Sequence, residues 1–92
     1  MTSSEFIKKD IERQDEIRVL VDLARDKWIL FWADPKLNEA ARRLHERGLV
    51  QIINDDNGGP KGRFELWPVV RERILLVGVI NIHLENQEDE NK

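Results

Sequence analysis

Residues 35–68, PKLNEAARRLHERGLVQIINDDNGGPKGRFELWP, read as one unit: a short helix, a strand, a glycine-bearing hairpin and a second strand. Asp34 before Pro35 marks a helix start, with the carboxylate as N-cap and proline at the first helical position. Leu37, Ala40, Ala41 and Leu44 recur at helical spacing. Gly48 stands where a left-handed residue ends a helix, so this one closes near Arg47. Leu49–Ile53 then reads as a strand, and Arg63-Phe64-Glu65-Leu66-Trp67 alternates with period two. Between them Pro60 and three glycines predict an open hairpin tip over 55–62 rather than a two-residue turn. Pro68 ends the second strand or starts the next element.

On the N-terminal side, Ser3 or Ser4 caps a helix expected to run to about Ala33. Its apolar stripe is Ile7, Ile11, Ile17, Val21, Ala24, Trp28 and Phe31, and from Ile17 onward the steps of 4, 3, 4, 3 are those of an a/d seam. Leu20, Leu23, Leu30 and Trp32 widen the stripe, whereas residues 8–16 are mostly charged and project outward. Gln14-Asp15 can hide a break into two helices. Residues 28–32 also suit a short strand, because aromatic and β-branched residues favour one. On the C-terminal side, 69–84 supports two readings. As a helix it aligns Val70, Ile74, Val77, Asn81 and Leu84, with Asn81 the single polar residue of the seam. As a third strand it aligns Ile74, Leu76, Ile80, Ile82 and Leu84. Gly78 weakens either choice. The expectation is one small α+β domain over 1–85 and a disordered acidic tail over 86–92.

The 92 residues suit a single domain, with 40% apolar and 36% charged content typical of a soluble chain. A core of this size is modest, so association with a second copy is a natural source of stability. With no cysteine there is no disulfide framework or thiolate chemistry, which fits a reducing cytoplasm. The longest apolar run, residues 74–80, is far short of the ~18 residues of a membrane span. The net charge of −3 is unevenly spread. Residues 1–35 carry six Lys/Arg against eight Asp/Glu, residues 36–73 eight against six, and residues 74–92 one against four. Only the middle third is cationic, and weakly so for a nucleic-acid binder.

Nothing in the pattern supplies a catalytic site, and no metal or organic cofactor is expected. His45 and His83 are the only histidines, and they read as surface or rim residues. The run Asp55-Asp56-Asn57-Gly58 lacks the alternating ligands and distal glutamate of a calcium loop. Gly58-Gly59-Pro60-Lys61-Gly62 lacks the order of a phosphate-binding loop and sits in a hairpin instead of before a helix.

A helix leading through Arg47-Gly48-Leu49-Val50 into a hairpin with a basic, glycine-bearing tip resembles the recognition helix and wing of winged-helix transcriptional regulators of the MarR and PadR type. The resemblance covers residues 35–68, and it implies a homodimer that binds double-stranded DNA through the short helix and the wing, with a dimerising helix after the wing, so that 69–84 is preferred as a helix. The residues matching those roles are Lys36, Asn38, Arg42 and Arg43 on the helix and Lys61 and Arg63 on the wing. Glu39–Arg43 and Arg42–Glu46 are opposite-charge i,i+4 pairs that compete for the same arginines. The alternative is therefore a module of the same shape that binds protein rather than DNA. In either case the dimer or partner interface is expected at Ile17, Val21, Trp28, Trp32, Ile74, Val77 and Asn81, with exposed aromatics such as Trp67 as further anchors.

Overall fold

The computed structural model describes residues 3–54 and 62–90. Helix α1 (Ser3–Arg25) leads to β1 (Ile29–Leu30), α2 (Pro35–Glu46), β2 (Val50–Asn54), β3 (Gly62–Leu66), α3 (Pro68–Val77) and α4 (Val79–Glu90). The described residues form a small α+β domain in which four helices pack with a three-stranded antiparallel sheet.

The helix and the two strands expected within 35–68 form, each strand one residue from its expected bounds. Asp34 adopts extended backbone and its carboxylate accepts from the Lys36 amide at 2.9 Å, with Pro35 opening the helix. At the other end Gly48 has φ +82°. The amide of Gly48 donates to the His45 carbonyl at 3.0 Å and that of Leu49 to the Leu44 carbonyl at 3.0 Å, the paired bonds of a Schellman stop. That stop turns the chain directly into β2. Strand β2 pairs with β3 in the register Val50↔Leu66, Ile52↔Phe64 and Asn54↔Gly62. Because β3 is central in the order β1-β3-β2, its inward residues Gly62, Phe64 and Leu66 are all buried. Residues 55–61, which include the expected hairpin tip and Lys61, lie outside the described residues.

Three expectations are corrected. Helix α1 stops at Arg25, not near Ala33, and residues 29–30 are a strand. Pairing Ile29 with Phe64 and Leu30 with Arg63 brings Phe31 and Trp32 onto the Phe64 ring, with centroids 4.9 and 5.3 Å away. The third strand of the sheet is therefore β1, and 69–84 is helical. It is two helices rather than one: Gly78, at φ +94° and ψ 159°, breaks the run. Residues 86–90 continue α4 instead of forming a disordered tail. Glutamate and glutamine are good helix formers, so an established helix extends into such a run without an apolar face. Helix α1 is continuous through Gln14-Asp15.

The buried face of α1 also differs from the expected seam. It is Glu16, Val19, Leu20 and Leu23, while Ile7, Ile11 and Val21 are exposed and Ile17 half-buried. Val19, Leu20 and Leu23 join Ala40, Ala41 and Leu44 of α2, Phe64 and Leu66 of β3, Val70 and Ile74 of α3 and Ile82 of α4 in one core. Among the described residues no helix is long and apolar enough to cross a membrane.

Candidate functional site

Among the described residues the core contains one polar cluster, built around Glu16. Its place on α1, three, four and seven residues before Val19, Leu20 and Leu23, carries it inward with them. Glu16 and His83 are each only 2% exposed. Arg43 Nε lies 3.4 Å from Glu16 Oε2, the Arg47 guanidinium contacts Glu16 Oε1, and His83 Nε2 is 3.6 Å from the same oxygen. Arg43 also donates from Nη2 to the Glu12 carbonyl at 3.4 Å. Burial raises the Glu16 pKa. The hydrogen bond from His83 and the charges of Arg47 and Arg43 more than offset it, so the carboxyl titrates below its ordinary value. The result is an ionised carboxylate tying α1, α2 and α4 together. It is enclosed by protein and its oxygens are engaged, which leaves it poorly placed as a general base.

This cluster changes the standing of the expected DNA-contacting residues. Arg43 faces Glu16 rather than solvent. Asn38 is also engaged: its Oδ1 accepts from the Trp32 amide at 2.8 Å and its Nδ2 donates to the Trp32 carbonyl at 2.6 Å. It clamps the chain after β1 to α2 as a neighbouring strand would. Arg63 pairs with Glu65 at 3.1 Å, and its guanidinium sits 5.8 Å from the centre of the Trp28 ring. Lys36 and Arg42 remain exposed on α2. Neither expected i,i+4 pair forms among the described residues, and Arg43 turns inward to Glu16 instead of to Glu39.

The expected interface residues divide in the same way. Ile74 is in the core and Val77 packs against it, so neither is available for a partner. Trp32 is half-buried on Phe64, and Trp28 and Trp67 are partly exposed. Asn81 is exposed, and its Nδ2 donates to the Val77 carbonyl at 2.6 Å. His45 is exposed and its Nδ1 donates to the Val50 carbonyl at 2.8 Å. His83 is corrected from a rim residue to a buried one, because it turns inward beside Ile82.

What the sequence reading missed is the apolar corner between α3 and α4. Leu75 and Leu76 end α3 and Ile80 begins α4, and they are 74%, 81% and 60% exposed. Val69 and Leu84 are exposed on the same two helices, and Arg73 bridges to Glu85 across them at 3.2 Å. A second feature is a cleft of about 340 Å³ between the first half of α1 and the start of α2. Ile7 and Ile11 are its apolar lining, and Lys8, Glu12, Lys36 and Glu39 stand among its charged walls. Comparison with protein-family models, curated proteins and solved structures finds no match to the chain.

Proposed function

We propose that the chain is a non-enzymatic module that acts by binding another protein chain. The observation that carries this reading is a contrast between two surfaces. On the α2 and hairpin side, Asn38, Arg43 and Arg63 are bonded within the molecule. At the α3–α4 corner, large apolar side chains stand in solvent. Contiguous exposed apolar surface is the mark of a protein contact, whereas DNA contact needs donors free to reach phosphates and base edges. The passage of α2 through Gly48 into the β2–β3 hairpin supports a winged-helix-like frame. That frame is one helix short of a full winged helix, since α1 is unbroken. A cysteine-free chain suits a cytoplasmic setting.

A second reading, a DNA-binding regulator, is favoured by Lys36 and Arg42, which are both exposed on α2. Affinity for a random duplex, measured across a salt series, separates the two. The protein-binding reading expects no shift of the duplex at about 50 mM salt with tens of micromolar protein, conditions where non-specific DNA binders associate. A log K that falls steeply with log salt, with a slope flattened by Arg42→Ala or Lys36→Ala, would overturn it.

A further inference from the structure

We infer that the partner is a protein presenting a cationic amphipathic helix, which packs on the corner where α3 meets α4; this rests on the protein-binding reading above. Leu75 and Leu76 occupy the last turn of α3 and Ile80 the first turn of α4, so all three flank Gly78. Leu84 lies one turn beyond Ile80 on the same side of α4, and Val69 lies two turns before Leu76 on α3. The five are exposed at half or more of their surface. Side chains repeating every one or two turns form the ridges by which one helix packs against another. On the inner side of the same two helices Val70, Ile74 and Ile82 already pack into the core. The outer ridges offer a further helix the same kind of seat, and contiguous apolar surface of this sort marks a protein contact.

Charge selects the occupant. Helices α3 and α4 carry two arginines against five acidic residues, a balance of −3. Arg73 already pairs with Glu85 at 3.2 Å. What remains is Arg71 against Glu72 and the run Glu88-Asp89-Glu90 in the last turn of α4, where the carbonyl end of the helix adds partial negative charge. A second copy would set this charge against itself across a two-fold. Anionic lipid headgroups and nucleic-acid phosphates are disfavoured for the same reason. A helix with aliphatic side chains on one face and Lys or Arg beside them gains from both the ridges and the charge. The α1–α2 cleft around Ile7 and Ile11 has walls of both signs and selects no such partner.

The test titrates the full chain into three labelled synthetic peptides of about five helical turns and reads fluorescence anisotropy. The first has leucine at helical spacing and lysine on its polar face. The second has glutamate in place of lysine, and the third keeps the lysines but shuffles the leucines off that spacing. The first peptide is expected to bind at least about tenfold more tightly than either control. Leu76→Ser and Ile80→Ser should each weaken it by on the order of tenfold, as at an interface hot spot, and Ile7→Ser should leave it unchanged. Glu72→Gln should weaken it roughly twofold or more at low salt and less at high salt. All four substitutions fall at exposed positions, and circular dichroism checks that each variant folds. No binding of the first peptide at hundreds of micromolar, or equal affinity for the lysine and glutamate peptides, would overturn the cationic partner. Affinity unmoved by both corner substitutions would overturn the corner as its seat. A wild-type mass of twice 10.9 kDa by light scattering, reverting to one chain in Leu76→Ser, would overturn it in favour of a second copy. Each of these results leaves protein binding itself to the DNA salt series.

Discussion

Glu16 shows how one residue can set the arrangement of three helices. Its carboxylate is surrounded by Arg43, Arg47 and His83 and is nearly sealed from water. Removing one partner of a buried charge cluster costs about 3–5 kcal/mol, because the remaining charges lose their counterion. Both arginines keep some contact with water, so Glu16→Gln should fall at the lower end, about 3 kcal/mol by urea denaturation at neutral pH. The pH dependence follows from the lowered pKa. The folded value lies below the unfolded one, so the contribution is complete above the ordinary carboxylate range. It is lost as pH falls through the lowered folded value. Wild type and Glu16→Gln should therefore differ most near neutrality and converge in acid; a gap that widens in acid would show that Glu16 is not held ionised. A trace of this site was legible, since Glu16 shares the helical spacing of Val19, Leu20 and Leu23. Its partners were not. Arg43 and Arg47 lie 27 and 31 residues away along the chain, and His83 further still, and periodicity carries no information on which helix faces which.

At the scale of elements, the sequence was most readable where local chemistry decides the outcome. Asp34-Pro35 and Gly48 bound α2 by hydrogen bonds made within a few residues, and alternation along 63–67 marked β3. Residues 28–32 were ambiguous because helix and strand both suit them locally. Pairing with β3, more than thirty residues later, decides for the strand. Gly78 was noticed as a weakness in either reading of 69–84, but its meaning as a joint depends on backbone geometry. Its φ of +94° with ψ of 159° lies in a region essentially confined to glycine, while Gly48 at φ +82° has the more tolerant left-handed conformation. A Cβ at either position would meet nothing within 4 Å, so the cost of alanine is backbone strain alone. Gly48→Ala should cost about 1 kcal/mol and Gly78→Ala up to about 3 kcal/mol, compared by chemical denaturation. Equal costs would mean that the corner relaxes to accept a side chain, and that Leu75, Leu76 and Ile80 are not held in one fixed arrangement.

For the whole molecule, the question is whether folding and association are one event. A 92-residue chain buries a limited core, and here that core also holds a charged cluster while five aliphatic side chains remain at the α3–α4 corner. Covering that corner with a second copy would link stability to concentration, because a folded dimer that unfolds to two chains is favoured by mass action. The size of the effect can be set in advance. Unfolding entropy is about 2.1 cal/mol/K per residue near 60 °C, which for two 92-residue chains is roughly 0.39 kcal/mol/K. A tenfold rise in concentration contributes about 1.4 kcal/mol. Above the dissociation constant of such a dimer, Tm would therefore rise by about 3–4 °C per tenfold increase in protein. The acidic balance of α3 and α4 opposes that pairing. The wild-type Tm should therefore stay level in differential scanning calorimetry over roughly a hundredfold range of concentration. A rise of the size set above would mean that folding and association are one event, and that a second copy rather than a cationic helix covers the corner.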